Sequence, residues 1–109
     1  MKIEDAPFTI TDWSVTPSST LRGTRGLAAS RVLERGNARL RMIEYSAGYV
    51  ADHWCARGHA ALVLDGDILV EIENGGSFAL TAGMSFLVAD GRDAHRVSSH
   101  NGARVFIVD

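Results

Sequence analysis

Apolar positions in this chain come in short runs cut by glycine turns. No segment keeps a helical 3.6-residue period over ten positions, so no long amphipathic helix is expected. Leu27–Glu34 and Ala38–Tyr45 flank Arg35-Gly36-Asn37, the signal of a hairpin. Ser46-Ala47-Gly48 marks another turn. His59–Leu64 is an apolar run that is expected to stop at Asp65-Gly66-Asp67. Ile68–Glu73 alternates and then meets Asn74-Gly75-Gly76, a strong hairpin turn. Ser77–Leu80, Met84–Ala89, Ala94–Ser98 and Ala103–Val108 follow, separated by Ala82-Gly83, Asp90-Gly91 and Asn101-Gly102. Residues 1–23 are the least patterned; Phe8, Ile10 and Val15 fit a short strand and Pro17-Ser18-Ser19 a turn. Many short strands with glycine turns predict an all-β sandwich or small barrel. The expected division is an N-terminal arm, 1–23, packed on the barrel or on a partner subunit, and a barrel, 24–109.

The run at His59 also bears on assembly. Strand alternation puts His59, Ala61 and Val63 on one face and Ala60, Leu62 and Leu64 on the other. Both faces are apolar apart from the histidine, so both should be covered. A barrel of this size buries only the inner one. A second subunit, giving a homodimer, or the arm of the same chain is expected to cover the outer one.

Composition narrows the function classes. The chain has 109 residues, enough for one domain, with 46% hydrophobic residues and a net charge of −2. That charge offers no electrostatic case for nucleic acid. No stretch approaches the ~20 apolar residues of a membrane span. One cysteine excludes an intrachain disulfide. The start, MKIEDAPFTITDW, lacks the apolar run of a secretory signal, so a cytoplasmic protein is expected.

The candidate chemistry lies in three of the four histidines and the cysteine. His53 and Cys55 are two apart, so an extended backbone would point both to one face. Gly58 lets the chain bend before His59, and His95 follows a glycine loop on a strand that can return to them. Imidazole and thiolate donors suit Zn²⁺ first, then Fe²⁺, Ni²⁺ or Cu, rather than Mg²⁺ or Ca²⁺. Residues of these types also occur simply as packed core residues. Alternatively, Cys55 is a nucleophile with His53 or His59 as its base. Asp90 and Asp93 beside His95 read as solvated turn formers. Arg22-Gly23-Thr24-Arg25-Gly26 reads as a loop rather than a phosphate cradle, since no helix follows it. Trp54 should point away from the ligands, and His100 should be exposed. Arg39, Arg41 and Tyr45 share a strand face that is either solvated or lines a pocket for an acidic ligand.

At these residues the sequence resembles a known family. Residues 48–66, GYVADHWCARGHAALVLDG, resemble the first motif of the cupin superfamily, Gly-x5-His-x-His-x3,4-Glu-x6-Gly. His53 matches its first His, Cys55 stands at the second, His59 at the Glu and Gly66 at the closing Gly. Residues 83–99, GMSFLVADGRDAHRVSS, resemble the second motif, with Gly83, Gly91 and His95 in place, Ala89 for its Pro and Ser99 for its Asn. Asp52-His53-Trp54-Cys55 is similar to the Asp-His-Cys-Trp (DHCW) motif of small single-domain bacterial cupins. The resemblance implies a single-domain antiparallel jelly-roll barrel with a divalent transition metal inside, held by His53, Cys55, His59 and His95. A set of three His and one Cys closes a zinc tetrahedron, which favours a metal-propped module binding a small molecule. The alternative is a metal-dependent enzyme (dioxygenase, isomerase or hydrolase-type) with an open coordination position.

Overall fold

The structure, a computed structural model, describes residues 2–109. A turn of 3-10 helix, Trp13–Val15, is followed by nine strands: β1 (Ser19–Arg22), β2 (Leu27–Arg35), β3 (Ala38–Tyr45), β4 (Tyr49–Val50), β5 (His59–Ile72), β6 (Ser77–Thr81), β7 (Ser85–Val88), β8 (His95–Ser99) and β9 (Ala103–Val108). All pairings are antiparallel, in the order β1-β2-β3-β9-β5-β8-β4, with β6 and β7 also on β5. The expected hairpin at Arg35-Gly36-Asn37 forms, pairing Arg35 with Ala38.

The expected stop at Asp65-Gly66-Asp67 does not occur. β5 continues through it for fourteen residues. Its first part pairs with β7 and β9, its second with β6 and β8. The register shifts between Val63 and Asp65, and Gly66 has φ +74°. A bulge with a left-handed glycine bends a strand without ending it, and lets one strand serve both halves of a barrel. Asp-Gly-Asp has turn chemistry, but cross-strand pairing on both sides overrides it.

The interior is filled from both halves. Ile43, Ala61, Val63, Val105 and Ile107 meet Ile68, Val70 and Leu80. Alternation along β5 carries His59 inward with Ala61 and Val63, as expected. The outer residues Leu62 and Leu64 stay partly open, and Leu87 beside them on β7 is 85% exposed.

The arm differs from its expectation. Residues 8–10 form no strand, and Phe8 and Ile10 face outward. Val15 belongs to the 3-10 turn, which Asp12 caps by accepting from the Ser14 amide at 3.0 Å. Ser19, expected in a turn, opens β1. The end of the arm pairs with β2 through β1; before that, local capping and contacts at single points position it. Glu4 and Asn37 exchange backbone and side-chain hydrogen bonds. Arg31 Nε donates to the Thr16 carbonyl at 3.0 Å. Trp13 packs edge-on against Phe106, at 6.2 Å between centroids. Among the described residues, no helix is long and apolar enough to cross a membrane.

A methyl group on Gly66 would run into the Gly102 carbonyl and would not suit the positive φ. Gly66→Ala is therefore expected to lower the unfolding free energy by about 2 kcal/mol or more. Urea denaturation of the two proteins measures it.

Candidate metal centre

Three segments meet at one end of the barrel. His59 opens β5 on its inner face, and His95 opens β8 opposite Ile72. Cys55 is held by a backbone bridge to His95: its amide donates to the His95 carbonyl at 2.7 Å, and the His95 amide donates back at 2.9 Å. The link between Cys55 and His59 is stitched to the loop before β8. The Gly58 amide donates to Asp90 Oδ1 at 2.6 Å, and the Gly91 amide to the Ala56 carbonyl at 2.8 Å. A side chain at Gly58 would collide with the backbone of 88–90, so the close approach requires glycine. Asp90 is thus an anchor for this segment rather than only a solvated turn former.

The result is a cluster in which one donor atom each from Cys55, His59 and His95 lies within 4.8 Å of the others. The two Nε2 atoms are 3.1 Å apart. The His95 ring is fixed from behind, with Nδ1 3.0 Å from the Asp93 carbonyl. That contact places the proton on Nδ1 and leaves the Nε2 lone pair facing the cluster, the usual support of a metal-ligating histidine. Phe86 meets both rings edge-on, at 5.7 and 5.8 Å between centroids. His95 is 2% exposed, and His59 is also buried, with its Nδ1 lacking a hydrogen-bond partner among the described residues.

Burial, helped by repulsion from His95 and Arg41, pushes the His59 pKa down to about 4. The ring is therefore neutral at pH 7, the state that binds metal. Zinc bonds of about 2.0–2.3 Å set donors of one ion roughly 3.3–3.8 Å apart, so small side-chain adjustments suffice. The residues fit a soft-to-borderline divalent ion: a thiol, two imidazoles of which His59 is neutral, and, among the described residues, no carboxylate in the cluster.

His53 is not brought into this group. It lies on the loop 52–54 with its side chain 76% exposed, and its Nδ1 is 2.6 Å from Asp52 Oδ1. Trp54, next to it, stacks under the Arg96 guanidinium at 4.4 Å. Arg96 in turn reaches both carboxylate oxygens of Glu71, at 3.3 and 3.2 Å. Trp54 therefore points away from the donors, as expected, and pins the loop. His100 is exposed. The loop at Arg22–Gly26 is tied to β4 by an Arg25–Val50 bridge.

The cluster opens onto a cavity of about 150 Å³ inside the barrel, walled mainly by apolar side chains, with Arg41, Tyr45 and Tyr49 among the polar ones and His53 at its edge. Burial raises the Tyr45 phenol well above its ordinary pKa, so it is neutral. Sequence reading had no sign of the neighbouring cluster around Asp109. Its carboxylate, 4% exposed, is bound by Arg39 at 3.0 and 2.8 Å, with Arg41 at 3.5 Å and Arg57 at 3.7 Å. Burial raises the carboxyl pKa, but the Arg39 hydrogen bonds and the Arg41 charge outweigh it and hold the group below its usual range. The shared face of Arg39 and Arg41 was visible in the sequence; their partner was not.

By sequence, no family model matches the chain and no curated protein matches it. By structure, it is similar to a predicted oxalate decarboxylase from Thermotoga maritima, with a TM-score of 0.76 and 12% identity over 92% of this chain and 96% of that one. An RmlC-like cupin from Shewanella frigidimarina gives a TM-score of 0.73 and 19% identity over 95% and 91%. A sugar phosphate isomerase from a cupin superfamily, from Silicibacter pomeroyi, gives 0.70 and 13% over 92% and 74%. The chain thus has the cupin jelly-roll fold.

Stability of the metal-free protein should fall in acid. His59 has a pKa of 6.5 when unfolded and about 4 when folded, so between these values the unfolded state binds more protons. Its contribution is complete above pH 6.5 and falls away towards pH 4, by about 3 kcal/mol in all. Urea melts of wild type and His59→Phe across this range measure it; the variant should lack that share of the slope.

Proposed function

We propose that this chain is a metal-dependent cupin that takes a small molecule into its barrel cavity, beside an ion held by Cys55, His59 and His95. The supporting observation is the convergence of these three buried or half-buried donors on the wall of the cavity. Zinc is the first choice of ion, iron or nickel the second, because thiolate and imidazole prefer them in that order. Three protein donors leave one position of a tetrahedron open, the arrangement of catalytic rather than structural zinc. An ion there supplies Lewis acidity that polarises a bound substrate or activates water. This favours an enzyme acting on a small substrate over the closed four-donor module. Several structural neighbours bear enzyme names, a decarboxylase, an isomerase and an ectoine synthase among them.

The closed module is the second reading. It is favoured by His53 standing at the edge of the same cavity, from where a turn of the 52–54 loop would bring its ring in. His53 would then exchange Asp52 for the ion. The Asp-His-Cys-Trp subtype of cupin, a cytoplasmic location and a homodimer belong to the same proposal. The exposed Leu62, Leu64 and Leu87 support the last by offering a contiguous apolar strip.

Metal analysis separates these readings. Protein purified without a metal-binding tag should carry about one equivalent of divalent metal per chain. Cys55→Ala and His95→Ala should lose it, while His53→Ala keeps it. Loss in His53→Ala as well would favour the closed module. Full retention in Cys55→Ala would remove the thiol from the site. Sedimentation at micromolar concentration should show a species of twice the chain mass; a monomer would remove the dimer.

A further inference from the structure

The cavity carries a charge that its own walls do not balance. Arg41 projects from β3 into the barrel, level with Ile107 on β9. Its side chain is 17% exposed, and its Nε is buried without a hydrogen-bond partner among the described residues. Among the described residues its sole carboxylate partner is Asp109, reached at 3.5 Å, the outer limit of a hydrogen bond. That carboxylate already has both oxygens engaged by Arg39 and also faces Arg57. Three guanidinium groups thus share one carboxylate. A buried charge left short of partners is costly, and a buried unpaired polar group requires an explanation.

The rest of the wall adds no carboxylate. Among the described residues, no Asp or Glu lines the cavity. The other arginine there, Arg96, is held by Glu71 through two contacts. Of the other polar side chains there, Tyr45 and His59 are held neutral by burial, and Tyr49, Cys55, His53 and His95 complete the polar part of the wall. The walls between them are aliphatic, including Ile43, Ile68 and Val97. A cavity of about 150 Å³ accommodates a body of roughly six non-hydrogen atoms, the size of benzene.

We infer that the ligand of this cavity is a small monocarboxylate with an apolar body, whose carboxylate is bound by the Arg41 guanidinium. A carboxylate matches the planar fork of an arginine, and the aliphatic walls take the remaining atoms. The inference rests on the reading of the barrel cavity as the ligand site, but Arg41 acts without the ion, so the two can fail separately.

Isobutyrate is a suitable probe and isobutyramide its neutral counterpart of equal size. Each is titrated into chelator-treated and zinc-loaded protein, followed by ¹⁵N-resolved NMR. Isobutyrate is expected to bind at least about tenfold more tightly than isobutyramide in chelator-treated wild type, the scale of one hydrogen bond to a charged group. It should also shift the Arg41 Nε–Hε resonance, which isobutyramide leaves in place. In Arg41→Met, shown to be folded by its thermal melt, the preference should fall to about threefold or less. If that variant does not fold, the Arg41 resonance of wild type decides. Equal binding of the two probes, an unmoved Arg41 resonance, or an Arg41→Met protein that keeps the preference would overturn the inference. Preference without zinc binding would leave it standing and remove the metal reading; zinc binding without preference would do the reverse.

Discussion

The bend in β5 is the constraint on which the rest depends. Fourteen straight residues would reach roughly 45 Å, longer than the greatest dimension of the protein, 38 Å. Instead, the two ends of this strand come back to the same place. His59 stands at its start, and Ile72 at its end pairs with His95, whose ring touches that of His59. The register shift after Val63 and the left-handed Gly66 allow this return. Without the bend the two imidazoles would belong to opposite ends of a flat sheet. The barrel, its cavity and the donor cluster follow from one discontinuity in one strand.

The polar groups at this end of the barrel are arranged in two layers with different physics. One layer consists of cavity-lining groups kept neutral by burial, the His59 imidazole and the Tyr45 phenol. The other layer is charged: Asp109 gathers Arg39, Arg57 and Arg41, of which Arg41 also faces the cavity. The positive layer reinforces the neutrality of His59 by repelling a proton from it. It thereby keeps the nitrogen lone pairs free for an ion, while presenting a field that attracts anions. One arrangement of arginines therefore serves both the donors and the cavity.

The sequence made the strands and most of their turns legible, because alternation and glycine placement are local signals. It also singled out Cys55, His59 and His95, which the fold brings together. His53 was grouped with Cys55 on the assumption that 53–55 is extended. The chain there is a loop pinned by Trp54 on Arg96, so two-residue spacing does not fix a common side. The continuation of β5 through Asp65-Gly66-Asp67 was illegible for the opposite reason: the local chemistry favours a turn, and only pairing with distant strands overrides it. Asp109 gave no sign because its partner Arg39 is 70 residues away. The arm before β1 escaped because its hold on the barrel consists of isolated contacts without periodicity.

The backbone bridge between Cys55 and His95 has a kinetic consequence. Two donors share one pair of amide hydrogen bonds at the rim, outside the continuous ladders of the barrel. Fraying of that pair would separate sulfur from imidazole while the interior stayed intact. Exchange of the ion and admission of a guest would then pass through a single rim-opening event, with a rate set by the strength of that stitch rather than by global unfolding.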